Sequence, residues 1–130
     1  MIVDSSALVA ILLKEQEALR LTTAIVASPA CRLPASCLLE ASMLILARRG
    51  EDAVRDLDLY LARSKIEVAA FTESQAFLAR DAFRRFGKGR HPAKLNFGDC
   101  MAYALAKETG EELLFKGTDF GQTDVAVAEY

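Results

Sequence analysis

The chain has 130 residues, is 52% hydrophobic and carries a formal charge of −2, so it is long enough for one core and too apolar for disorder. No apolar run approaches the ~20 residues of a membrane span. Three cysteines without metal-type spacing and a single histidine exclude a disulfide scaffold and a histidine-rich metal centre.

Taken in order, Ile2 and Val3 read as a short buried strand that stops at Asp4. Ser5 or Ser6 is expected to cap the following helix through Leu13, which leaves Asp4 free for another task at a strand end. A helix over 15–27 follows, with Ala18, Leu21, Ile25 and Val26 as its apolar stripe. Cys31-Arg32-Leu33 is a short strand, and Pro34-Ala35-Ser36 opens a helix that Gly50 closes. Glu40 interrupts this helix, which has almost no polar face, so its carboxylate is expected to be partly buried and to need a partner. Residues 51–64 form an amphipathic helix through Val54, Leu57 and Leu61, with Asp56 and Asp58 solvated. Ile66 to Phe71 read as a strand, and Thr72 caps a helix whose Phe77, Leu78 and Phe83 are expected to face the core.

The segment from Arg80 to Lys94 sets six basic residues against Asp81 alone, a surplus of five in a chain that is acidic elsewhere. Such asymmetry points to an anionic partner on one side, with a merely solvated face as the plainer reading. Within it, Gly87 to Lys94 is a loop by its glycines and proline, without P-loop spacing. Asn96 caps the next helix, and Asp99 stands three residues on, where an acid completes a capping box. Thr109-Gly110 ends that helix, Leu113-Leu114-Phe115 is a strand, and Val125 to Ala128 is the expected last strand, after a loop holding Asp119.

The alternation of strands and helix pairs predicts a single α/β domain over 1–130, with a mostly parallel sheet between helical layers. Asp4, Glu40, Asp99 and Asp119 then gather above the strand C-terminal ends. Several carboxylates in one pocket do not all stay ionised without a cation, and an all-oxygen set selects a hard ion such as Mg²⁺ or Mn²⁺. Such a site activates water and steadies an in-line transition state at phosphorus. A phosphodiester substrate suits the neighbouring basic stretch, where Lys88, Arg90 and Lys94 are candidates for phosphate contact. The residues themselves reach metal-dependent phosphoryl chemistry and no further. A non-catalytic, receiver-like module is the rival reading, against which stand Ser5-Ser6 after Asp4 and the lack of a lysine after Gly117.

The opening 1–8, the helix holding Glu40, and Asn96-Phe97-Gly98-Asp99-Cys100 resemble the three acidic motifs of PIN-domain ribonucleases. More narrowly, 87–99 and 114–120 are similar to a subgroup of VapC-type toxins of toxin–antitoxin pairs. The resemblance covers nearly the whole chain. It implies a PIN-like three-layer α/β/α fold with a five-stranded sheet and Mg²⁺-dependent endonucleolytic cleavage of RNA. It also implies a homodimer and a cognate VapB-type antitoxin; a PIN nuclease of RNA processing is the alternative within the family, and the odd number of cysteines, read as reduced thiols, gives the expectation of a cytoplasmic location. Asp4 and Asp99 would hold the metal, with Glu40 completing the site. One departure is Gly117, where the family often has an acid. Asp119 either takes that place or caps the turn after it.

Overall fold

The computed structural model describes residues 1–130. Its four strands are β1 (Ile2–Val3), β2 (Arg32–Pro34), β3 (Glu67–Ala69) and β4 (Leu113–Leu114). They form one parallel sheet in the order β3-β2-β1-β4. The helices are α1 (Ser5–Leu12), α2 (Ala18–Ala27), α3 (Ala35–Arg49), α4 (Glu51–Ser64), α5 (Glu73–Phe86) and α6 (Phe97–Thr109). The chain steps outward from β1 to β3, then returns to place β4 on the other side of β1. Right-handed crossovers therefore put α1–α4 on one face and α5 and α6 on the other. The reversal makes β1 the switch point of the sheet, where open α/β folds form their ligand crevice.

The inner strands are buried on both sides, whereas β3 at the edge is largely exposed. Ile2, Val3, Leu33, Leu113 and Leu114 are fully buried, each worth roughly 1.5–3 kcal/mol relative to exposure. The expected fifth strand is absent. Its place holds one parallel bridge, Leu113 to Val127, with Leu113 N–H donating to Ala126 O at 2.8 Å and Ala128 N–H to Leu113 O at 3.0 Å. A two-residue β4 offers no longer edge to pair with.

Helix faces depart from the periodic reading in two places. In α5 the inward residues are Gln75, Ala82 and Phe86, while Phe77 and Phe83 point to solvent. In α2 the stripe is Leu21 and Ile25; Val26 is exposed, and the helix begins only at Ala18, after Lys14 takes a positive φ. The three cysteines are free thiols and buried. No helix is long and apolar enough to cross a membrane.

Candidate active site

Asp4 stands at the C-terminal end of β1, its N–H bonded to Leu114 O at 2.9 Å. It is also the N-cap of α1, with one carboxylate oxygen accepting from the Ser6 N–H at 2.9 Å and the Ser6 hydroxyl at 2.6 Å. The expectation that a serine would cap this helix is thereby corrected. An extended aspartate at the cap satisfies an orphan donor of the first turn itself, and the serine hydroxyls are released for other work. Ser5 Oγ donates to Glu40 Oε2 at 2.7 Å, and Ser6 Oγ accepts from the Lys116 N–H at 3.0 Å, which fastens the loop after β4. The other Asp4 oxygen faces the buried Cys37 thiol at 3.7 Å.

Glu40 projects from the second turn of α3 and is half-buried, as its apolar surroundings led one to expect. It lies against the first turn of α6: a Cβ placed on Gly98 would sit 2.6 Å from Glu40 Oε2. Glycine in a helix costs about 1 kcal/mol relative to alanine. Here that cost goes with a passage for the Glu40 carboxylate, and a glycine wedged between a cap and an acid was the signal for it. Asp99 completes the capping box, its carboxylate accepting the Asn96 N–H at 2.7 Å while Asn96 Oδ1 accepts the Asp99 N–H at 3.0 Å.

The acids act on one another. Burial is the main cause that pushes the Asp99 carboxyl up to about 6; the Asn96 N–H opposes it, and the charges of Asp4, Glu40 and Asp119 add to it. Burial likewise raises Asp4, against the lowering hydrogen bonds from Ser6, and Glu40 raises it further. The Cys37 thiol is raised by burial and by Asp4 beside it, so it stays protonated as a donor. Asp119 is exposed and precedes the short 3₁₀ turn Phe120–Gln122, but its side chain makes no cap bond. The capping alternative for Asp119 therefore fails, and what remains is its charge acting on Asp99.

The donor chemistry suits a hard cation: the set is oxygen-only, and its crowded charge already drives a carboxyl upward. As the side chains stand, no three of them converge in metal-holding geometry, because Asp4 is held by Ser6, Glu40 by Ser5 and Asp99 by Asn96. Each intramolecular bond takes one oxygen of its carboxylate. Asp99 Oδ1 and Glu40 Oε1 accept no bond from the protein.

The basic stretch sorts into two parts. Arg84 and Arg85 pair with Asp81, and Arg85 also with Asp124 at 2.9 Å. Lys88, Arg90 and Lys94 are exposed and enter no ion pair. They stand on the loop that Leu95 ties back to Phe86 and Lys88 and that leads directly into Asn96. His91 is structural: its Nδ1 accepts the Ala93 N–H at 3.1 Å, and its ring meets Phe86 edge-on at 5.2 Å.

A parallel α/β/α sheet with Asp4 at its switch point and Glu40 and Asp99 on the helices beside it is an architecture that suits cation-assisted phosphoryl chemistry. Residues 1–126 match the family model described as PIN domain. The chain is 48% identical over 126 residues to the ribonuclease VapC of Mycolicibacterium smegmatis, covering 97% of this chain and 98% of that one. It is 47% identical to ribonuclease VapC30 of Mycobacterium tuberculosis, covering 97% and 96%. Among solved structures it resembles Mycobacterium tuberculosis VapC20, described as a Sarcin-Ricin loop cleaving toxin, with a TM-score of 0.82, 16% identity and coverage of 99% and 98%. A toxin–antitoxin complex from Klebsiella pneumoniae gives a TM-score of 0.73 at 18% identity, covering 99% and 97%. The chain belongs to the PIN-domain family, among its VapC ribonucleases.

Proposed function

We propose that this protein is the toxin of a VapBC-type pair, a single PIN-like domain over 1–130 that cleaves RNA with Mg²⁺, or Mn²⁺ in its place. Membership in the VapC ribonucleases makes it an endoribonuclease, and enzymes of this family use a divalent metal ion. The observation that carries the assignment of the site is the convergence of charge on Asp99, whose carboxyl is pushed up to about 6 in part by Asp4, Glu40 and Asp119.

The cation supplies Lewis acidity towards water and the scissile phosphate. Asp4 and Asp99 would hold it, and Glu40 would complete the site and orient the attacking water. Ser6 and Ser5 hold one oxygen each of Asp4 and Glu40, which leaves Glu40 Oε1 and Asp99 Oδ1 without a bond from the protein and open to a cation. Lys88, Arg90 and Lys94 contact the phosphates of the strand. Chelation tests this reading: excess EDTA should stop RNA cleavage, and Mg²⁺ or Mn²⁺ should restore it. Cleavage that persists in EDTA would overturn it.

As partners we propose a VapB-type antitoxin and a second copy of the chain, and as location the cytoplasm. Solved structures of this fold include toxin–antitoxin complexes, which favours the toxin reading over a nuclease of RNA processing. Expression of the chain alone should arrest growth, and co-expression of the antitoxin from the adjacent frame should relieve it. Harmless expression of active enzyme would favour the processing role.

A further inference from the structure

Lys116, two residues beyond β4, carries an ion cluster of its own. Its ammonium lies 2.6 Å from Glu15 Oε2 and 3.2 Å from Glu17 Oε2. Both acids come from the turn between α1 and α2, where Lys14 takes a positive φ and the Glu15 N–H donates to Ala10 O at 2.9 Å. All three side chains are roughly a third exposed, and ion pairs so open to solvent contribute little to stability. Two carboxylates on one cation also exceed what neutralisation requires. The grip fixes where Lys116 stands more than it holds the fold together.

The backbone of the same residue reaches the acids. The Lys116 N–H donates to Ser6 Oγ at 3.0 Å, and Ser6 Oγ stands 2.6 Å from Asp4 Oδ2. An N–H only donates, so the Ser6 oxygen accepts there and its one proton is left for Asp4; a serine hydroxyl without such a neighbour is free to rotate. Little else sets the chain at this point. The sheet ladder ends with β4 at Leu114, and Gly117 follows at a φ of +114°, with open space where a side chain would be. Phe115, buried against Phe120, holds the near side; the Lys116 side chain holds the other.

We infer that Lys116, gripped by Glu15 and Glu17, is a positioning residue for the acidic centre. It presents its amide to Ser6, so that Ser6 keeps its proton on Asp4 Oδ2 and the carboxylate keeps one orientation. Partners behind a metal ligand act in this way, by fixing the ligand's aim. The effect runs through geometry and against charge: an ammonium near a cation site repels the cation, so its charge alone would weaken binding. The inference rests on the reading of Asp4 as a holder of the cation.

Mn²⁺ alone is the probe, titrated by calorimetry into the full-length protein without RNA, each variant shown folded by circular dichroism. Lys116→Met keeps the stem and removes the ammonium; Glu15→Gln with Glu17→Gln removes the grip. Each should weaken Mn²⁺ binding about tenfold, with a melting temperature within about 3 °C of the parent's. Lys116→Arg should bind Mn²⁺ as the parent does. On a Ser6→Ala background, Lys116→Met should cost nothing further. In EDTA, hydrogen exchange at the Lys116 amide should quicken in Glu15→Gln with Glu17→Gln. A through-space effect of charge would move the two variants in opposite directions, tighter for Lys116→Met and weaker for the double change, and overturns the inference. So does parental Mn²⁺ affinity in both folded variants, whatever their melting temperature, or a defect confined to RNA binding. A parent that binds Mn²⁺ with both variants unmoved sinks this inference alone; a parent that binds none sinks the reading of the site and this inference with it.

Discussion

Asp99→Asn should make the cation-free protein more stable at neutral pH, although Asp99 belongs to a capping box. Folding raises this carboxyl from its ordinary 3.8 to about 6. The folded state then holds the proton more tightly than the unfolded chain. Between those two values stability falls as pH rises, and above 6 the whole cost of the charge is present. The displacement corresponds to a ceiling of roughly 3 kcal/mol. Asp99 is only half-buried, and solvent screening brings this to roughly 1 kcal/mol. Asparagine keeps an oxygen for the Asn96 N–H, so the cap survives while the cost of burying the charge goes, and with it the smaller repulsion from Asp4, Glu40 and Asp119. Thermal melts in EDTA at pH 7.5 should put Asp99→Asn roughly 3–4 °C above the parent, and at pH 4 the two should coincide. Mg²⁺ should then raise the parent's melting temperature and leave the variant's almost unmoved. A variant that melts below the parent at pH 7.5, or by the same margin at both pH values, would refute the reasoning.

Gly98→Ala should separate stability from activity. Its Cβ would stand 2.6 Å from Glu40 Oε2 and turn the carboxylate off Ser5, so cleavage should fall roughly tenfold or more, while alanine's helix preference keeps melting at or above the parent's. Lys88→Ala with Arg90→Ala should leave melting unchanged and lower the salt slope of RNA binding by about two; an unmoved slope returns the loop to a solvated face. Asp119→Asn should raise the Mg²⁺ needed for half-maximal cleavage without loss of stability, because its side chain caps nothing. A metal titration that overlays the parent's would remove Asp119 from the site.

The sequence made the order of elements legible because each boundary carries its own chemistry: Asn96 and Thr72 as caps, Gly50 and Gly110 as stops. Asp4 and Glu40 stood out in the sequence as acids in awkward local positions, whereas Asp99 had a local place as a capping-box residue, which it fills, and Asp119 stood only in a loop. The division of labour around them was not. That Asp4 caps its own helix depends on the extended backbone it adopts leaving β1, and that Ser5 serves Glu40 depends on how α3 lies beside α1. Both are tertiary facts. The outward turn of Phe77 and Phe83 escaped for a related reason: α5 packs on α6 through Gln75, Ala82 and Phe86, so one ring, a small residue and a polar one share the inner face. The fifth strand was overread because Val125 to Ala128 has the composition of a strand, while its neighbour β4 is only two residues long.

The central claim is that Asp4 and Asp99 are the metal-holding pair of an RNA-cleaving centre. Its most direct test is single-turnover cleavage of single-stranded RNA in Mg²⁺ by the parent, Asp4→Asn and Asp99→Asn, each shown folded by circular dichroism. The account predicts cleavage by the parent and none by either folded variant. Undiminished cleavage by folded Asp99→Asn would contradict it.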